Sequence, residues 1–339
     1  YDAIHRSLDG YGLKDVAVHF GFAQKNRTYI DGAQISETYR RDPDTVMAYV
    51  QDDVLETRAL SDLLSRSSFI QAQMLPETYQ NVCVRGTATR IDGLMVREYL
   101  RCGHALPIPG EPRGFAGGYT DMFVQGVVQN VHHCDVRSLY PSLMLSQHIG
   151  PANDELDVFL QMLDVLRTFR VEAKQRMRDA EDAARKRHYD ALQSTFKILI
   201  NSFYGYLGFS QGRFNDFDAA EKVTAEGRAL LRRMIEWLRE HGATPVEIDT
   251  DGIYFVPPEF GGSPQETGAA MDAFRRAFAE ALPAGIEIEF DGEFRAMFSY
   301  KMKNYALLGH DGEMVIKGGA LKSRGLEPFQ RDFLRDMLR

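Results

Sequence analysis

The chain has 339 residues, 44% of them apolar, and 40 basic against 48 acidic side chains give a formal charge of -8. That is material for roughly two or three domains with cores of their own, while no run reaches the ~20 apolar residues of a membrane span and the opening Tyr1-Asp2 is unlike a secretory signal. Cys83, Cys102 and Cys134 are isolated and odd in number, which argues against a disulfide framework or a zinc ribbon and for a reducing compartment rather than secretion.

In chain order, the absence of an initial Met reads as a fragment or trimmed chain. Asp44 to Leu64 carries apolar residues at helical spacing, led by the start signal Asp42-Pro43-Asp44. Leu106 to Gly118, "LPIPGEPRGFAGG", is the clearest boundary, since closely spaced Pro and Gly interrupt helix and strand alike. Gly126 to Cys134 alternates as a strand that ends at Asp135. Asp154 to Tyr206 turns helical and charged, with room for two antiparallel helices hinged near Asp179 to Ala184. Basic residues crowd it between Arg167 and Arg187, so the acidic total does not exclude a nucleic-acid partner, although a solvated charged helix fits the same pattern. A helix follows from Asp218 to His241, stopped by Gly242. "VEIDTDGIYFV" reads as two short strands around a carboxylate-bearing turn. Met271 to Leu282 is helical, Ile286 to Phe290 and Tyr305 to Leu308 are strands, and Pro328 begins a last helix. The order is that of an α+β fold.

Asp249 and Asp251 flank Thr250 in the turn, where two charges about 4 Å apart repel by roughly 4 kcal/mol at an effective dielectric near 20. A divalent cation between them or a retained proton relieves this; taken alone, the string is better accounted for as an acidic Asp-Gly β-turn. Asp135 also ends an apolar strand, and oxygen ligands from two strand ends suit a pair of Mg²⁺ ions in phosphoryl or nucleotidyl displacement. Carboxylates alone leave the phosphate reaction open. Arg170 with Lys174, and Lys197 with Asn201, are each four residues apart on a helix and so share a face; such a set clamps a triphosphate. Tyr204-Gly205 then offers a ring and a bare backbone to a base pair. His132-His133-Cys134-Asp135 does not form a zinc site, because neighbours on a strand point to opposite faces.

"DVRSLYPSLM" (135–144), "KILINSFYGYLG" (197–208) and "IDTDGIYF" (248–255) resemble motifs A, B and C of the family B DNA polymerases, in the family's order. Arg170-x-x-x-Lys174 resembles the fingers helix, Phe115 to Gly118 the Tyr-x-Gly-Gly linker, Lys303-Asn304-Tyr305 the Lys-x-Tyr element, and "KGGALKSRGLEPF" from Lys317 the entry to the thumb. The N-terminal third is similar to the end of the 3′–5′ exonuclease domain, with Tyr49-x-x-x-Asp53 like its third motif and no counterpart to the first two. The resemblance implies an α+β polymerase palm with a helical fingers hairpin, after part of an RNase-H-like domain. It divides the chain into exonuclease-like region and linker (1–108), palm (109–150), fingers (151–206), palm (207–315) and the start of the thumb (316–339).

It further implies that Asp135 and Asp251 bridge two Mg²⁺ ions, or Mn²⁺ in their place, with Asp249 beside them and the Val136 carbonyl as a further ligand. Tyr140 is then the gate against a ribose 2′-hydroxyl. Arg170, Lys174, Lys197 and Asn201 hold the dNTP, Tyr204 and Gly205 line the nascent pair, and Lys303, Tyr305 and Lys317 meet the primer-template. Glu247-Ile248 and Gly252 depart from the usual flanks of motif C, and Met302 and Asn304 dilute the basic Lys-x-Tyr pattern, so Glu247 is a carboxylate that threatens the metal site. The enzyme implied is a monomeric DNA-directed DNA polymerase of the cytoplasm (nucleoid-associated) or another reducing compartment, without proofreading in this chain, its processivity factor unspecified. A non-catalytic polymerase-derived DNA-binding scaffold is the rival reading, motivated by the altered motif C flanks and the missing thumb; a nuclease lacks the carboxylates it needs.

Overall fold

The computed structural model describes residue 8, residues 10–319 and residues 326–338. Helices Leu13–His19 (α1) and Ile35–Arg41 (α2) precede Pro43–Leu64 (α3). The start of α3 is fixed as the sequence implies: the Thr45 N–H donates to the Asp42 carboxylate at 3.2 Å, satisfying an amide that a helix N-terminus leaves open. Arg66–Met74 (α4), Tyr79–Val84 (α5) and Thr87–Arg101 (α6) follow, and residues 104–119 form neither helix nor strand.

Beyond that boundary come Thr120–Met122 (β1), Gly126–Val136 (β2), Leu139–Ser146 (α7), Val158–Asp179 (α8), Ala183–Leu207 (α9) and Phe217–Glu240 (α10). Gly242, at φ 78, ends α10 in the left-handed conformation that glycine adopts without penalty. Thr244–Asp249 (β3), Gly252–Val256 (β4), Pro264–Glu280 (α11), Ile288–Lys301 (β5), Asn304–Leu308 (β6), Met314–Lys317 (β7) and Pro328–Leu338 (α12) complete the order.

Four elements depart from the sequence expectation. β5 runs to Lys301 instead of stopping near Phe290, because its alternation continues and β2 pairs with it from Val136↔Ile288 to Gly126↔Ser299. α11 starts seven residues before Met271, where a capping box joins Ser263 and Glu266: the Ser263 N–H donates to the Glu266 carboxylate at 2.7 Å. β1 and β7, of three and four residues, are too short to show a period.

The seven strands form one antiparallel sheet in the order β1-β3-β4-β2-β5-β6-β7. Successive strand side chains point to opposite faces. Cys134 and Val136 accordingly join Ile248, Ile253 and Phe255 in a core with Leu139 and Leu143 of α7, Leu230 and Met234 of α10, and Phe278 of α11. Val131, Tyr254, Met297, Tyr305 and Leu307 form a second cluster. Asp135, lying between Cys134 and Val136, emerges on the face away from those helices.

Two compact units divide the chain: residues up to 86 with 168–198, and residues 87–167 with the rest from 199 onward. In the first, Val16, Ala17 and Leu60 make a small core, Phe169 packs on Phe196 with ring centroids 5.9 Å apart, and the hydroxyls of Ser67 and Thr195 are 2.9 Å apart. The second holds the sheet, and its α6 is tied down by a buried network. The Asp92 carboxylate accepts from the Tyr206 hydroxyl at 2.8 Å and the Arg213 N–H at 2.8 Å, and forms an ion pair with the Arg213 guanidinium. Among the described residues no helix is long and apolar enough to cross a membrane.

Candidate active site

Asp135 stands next to the last residue of β2, directly opposite Gly252 of β4. The turn that brings Asp251 to it is tight: Thr250 takes φ 71 and the Asp251 N–H donates to the Asp249 carbonyl at 2.9 Å. The Val136 N–H in turn donates to the Asp251 carbonyl at 2.9 Å, pinning the turn to the end of β2. Burial, and then the charge of Asp251, push the Asp135 carboxyl up to about 6. Asp251 is raised by burial and by the charge of Asp249. Oδ1 of Asp135 is buried without a hydrogen-bond partner, an arrangement that costs free energy unless something charged or polar completes it.

Among the described residues no group of three or more His, Cys, Asp or Glu side chains is spaced to hold a metal ion. The pair nevertheless fits one in chemistry. Mg²⁺ prefers oxygen donors and is commonly held by one or two carboxylates, with water and substrate phosphates completing its shell; the buried, unpartnered Oδ1 of Asp135 supplies such a donor. The neighbouring histidines have separate partners, as alternation on the strand requires. His133 Nδ1 lies 2.5 Å from the Asp291 carboxylate, whereas His132 Nδ1 lies 3.3 Å from the Arg275 guanidinium. Asp291 reaches His133 because β5 carries an extra residue there: His133 pairs with Gly292 and Cys134 with Phe290.

Asp249 faces the β5–β6 turn. Lys303 Nζ is 3.4 Å from its Oδ1 and 3.1 Å from the Thr250 hydroxyl, and the Tyr305 hydroxyl donates to its Oδ2 at 3.3 Å. Tyr305 itself is buried, its hydroxyl 3.2 Å from that of Tyr254. Glu247, two residues before Asp249 on β3, reaches into the same hairpin, and burial, with Asp249's charge adding to it, raises its carboxyl. It accepts from the Lys303 N–H at 2.7 Å and from the Ser299 hydroxyl at 2.9 Å, and is fully buried. Its two carboxylate oxygens are thus both occupied, which explains how a fourth acid is accommodated beside Asp135, Asp249 and Asp251.

Tyr140, on α7, packs its ring on Tyr204 of α9 at 4.4 Å between centroids, and burial pushes its hydroxyl up to about 12. Asn201 and Gly205, on the same stretch of α9, are exposed. Arg170, Lys174 and Lys197 belong to the other compact unit, where Lys174 and Lys197 are exposed and Arg170 is half-buried. Lys317 is exposed at the end of β7; residues 320–325 of the thumb-entry motif lie outside the described residues.

The family model described as DNA polymerase family B matches residues 152–339. The chain belongs to DNA polymerase family B. Similar proteins include DNA polymerase 1 of Pyrococcus abyssi, 26% identical over 96% of this chain and 45% of its own length. The DNA polymerase of Pyrococcus glycovorans is 31% identical over 98% of this chain and 46% of its own. In fold, the chain is similar to the structure of the family B DNA polymerase from the hyperthermophilic archaeon Pyrobaculum calidifontis. That match has a TM-score of 0.66 at 21% identity and covers 97% of this chain and 48% of the other. The chain therefore spans about half the length of the relatives it matches.

In this family B chain the residues that resemble the third exonuclease motif are engaged locally. The Arg27 guanidinium pairs with Asp53 and donates from Nε to Glu56 at 2.6 Å. Tyr49 has the Lys14 ammonium 4.6 Å from its ring centre, and the Thr28 N–H donates to Asp52 at 2.8 Å. Arg27 and Glu56 are buried and Asp53 is 29% exposed. Nothing in the spacing of Tyr49-x-x-x-Asp53 indicates this partner, which lies 26 residues upstream of Asp53.

Proposed function

We propose that this chain carries the nucleotidyl-transfer centre of a template-directed DNA polymerase that joins dNTPs to a primer 3′-hydroxyl. The observation that carries the reading is the buried, unpartnered Oδ1 of Asp135 at the end of β2, where the β3–β4 turn brings in Asp251. Asp135 and Asp251 would hold two Mg²⁺ ions, or Mn²⁺ in their place, with Asp249 beside them and the Val136 carbonyl as a further ligand. When bound, the ions activate the 3′-hydroxyl and neutralise charge on the leaving pyrophosphate.

The chain's own groups bind and orient the substrates. The Tyr140 ring, backed by Tyr204, fills the space that a ribose 2′-hydroxyl needs. Tyr204 and the exposed Gly205 line the nascent base pair. Arg170, Lys174, Lys197 and Asn201 take the triphosphate, for which cationic and amide donors are suited. Lys303 and Lys317 face the primer-template, and the buried Tyr305 supports the Lys303 turn through Asp249. In domain terms residues 109–150 and 207–315 are palm, 151–206 fingers and 316–339 the start of the thumb, while residues 1–108 are the C-terminal part of an exonuclease-like domain and the linker. Asp53, already paired with Arg27, is poorly placed to serve proofreading.

Primer extension with Mg²⁺ and dNTPs tests the reading, with Asp251→Ala as control. Loss of a shared ligand lowers the rate by several powers of ten. Full activity in Asp251→Ala would remove the assignment. No extension by the parent chain, together with DNA binding and no response of Mn²⁺ affinity to Asp135→Asn, would favour the scaffold instead.

A further inference from the structure

We propose that Gly118 and Gly227 are specificity-determining residues, two walls of a slot that fixes the Tyr140 ring and thereby sets how strictly ribonucleotides are refused. The proposal rests on the reading of Tyr140 as the sugar gate. Neither glycine has a positive φ, so neither is required by backbone conformation; what each supplies is space. A Cβ on Gly118 would stand 2.6 Å from the Tyr140 hydroxyl and 3.3 Å from Cγ2 of Thr250, the central residue of the acidic turn. A Cβ on Gly227 would stand 3.2 Å from Cε1 of the same ring. Glycine inside a helix is unfavourable relative to alanine, and Gly227 lies in the interior of α10, so a packing reason is called for. Tyr204 closes the third side.

The Gly118 wall is held in place. Arg228 Nη1 donates to the carbonyls of Ala116 at 3.0 Å and Gly117 at 2.5 Å, and the Thr224 hydroxyl donates to Ala116 at 2.8 Å. Both donors sit on α10, the helix that carries Gly227, so the two walls form one assembly. A methyl group at Gly118 would displace the tyrosine more readily than it would displace this pinned backbone. Gly117, one residue earlier, has nothing within 4 Å of an added Cβ and serves as the control.

The test compares kcat/KM for a dNTP and the matching rNTP in Gly118→Ala, Gly227→Ala and Gly117→Ala, with the thermal midpoints of Gly118→Ala and Gly118→Ala/Tyr140→Phe alongside. Displacing a positioned group can change rates by up to about a hundredfold. The dNTP preference should accordingly fall about tenfold or more in Gly118→Ala and Gly227→Ala and stay unchanged in Gly117→Ala. Gly118→Ala should lower the midpoint, and Tyr140→Phe should restore it by removing the colliding hydroxyl. An unaltered preference in Gly118→Ala and Gly227→Ala that still extend DNA would overturn the proposal. Should Gly118→Ala be too unstable to assay, Gly227→Ala decides. If the parent chain extends no primer, the gate reading falls, and a Gly118→Ala midpoint equal to that of the parent would overturn the slot as well.

Discussion

Asp135→Asn in metal-free protein should stabilise the fold at neutral pH, against the usual cost of altering a buried group. Burial and Asp251 push the Asp135 carboxyl up to about 6, against roughly 3.9 in an unfolded chain. A carboxyl raised on folding contributes stability that is fully present below its unfolded value and is lost as pH rises through its folded value. A rise of that size corresponds to roughly 3 kcal/mol; the group is only half-buried, and solvent screening reduces this to about 1–2 kcal/mol. For a cooperative unit of roughly 200 residues, each kcal/mol moves Tm by about 2–4 °C. Calorimetric unfolding in EDTA from pH 4.5 to 7.5 covers about two thirds of the loss and should show the parent falling by about 1–5 °C relative to Asp135→Asn. Carboxyls far from the site cancel in that difference, and so does the raised Asp251 carboxyl, because burial and Asp249, which lift it, are the same in the variant. Adding Mn²⁺ should recover most of the loss in the parent and little in the variant. Parallel pH curves, or an Asp135→Asn variant less stable at pH 7.5, would refute the reasoning.

Arg27→Met should cost about 3–5 kcal/mol, the usual penalty for leaving a buried carboxylate unpaired, because Glu56 and Asp53 both lose their counter-charge; chemical denaturation measures it, and a change below about 1 kcal/mol would show that the pair is incidental. Lys303→Ala should weaken primer-template binding and lower the salt dependence of that binding by about one phosphate contact. An unchanged slope would place Lys303 on the protein's own Asp249 and Thr250 alone.

What the sequence disclosed was whatever local spacing encodes. The Asp42-Pro43-Asp44 start of α3, the Gly242 stop of α10 and the two strands around Asp249 and Asp251 all lie within a few residues of their signals. Asp135 was legible because an apolar strand ends on an acid. Partners brought from far along the chain were not. Glu247 looked like a threat to the acidic pair, and only the β5–β6 hairpin, some 50 residues later, shows its oxygens on Ser299 and Lys303. The full length of β5 was hidden at Asp291-Gly292, where the bulge opposite His133 breaks the run, although Glu293 and Arg295 beyond it alternate with Phe294 and Ala296 as a half-exposed strand requires. Gly227 carried a readable signal, a glycine deep in a helical pattern, but its reason, the Tyr140 ring, lies 87 positions away in the chain.

β2 is the fourth of seven strands and is flanked on both sides, by β4 and by β5. Amides on such an inner strand exchange with deuterium only when the sheet itself opens, so the Asp135 amide should be among the slowest in its unit to exchange. The opposing acid, by contrast, hangs on a turn whose central residue, Thr250, occupies a backbone conformation uncommon for a β-branched side chain. Both carboxylates are nonetheless held from one strand: Asp135 stands on β2 itself, and the Asp251 turn is tied to the end of β2 by the Val136 N–H.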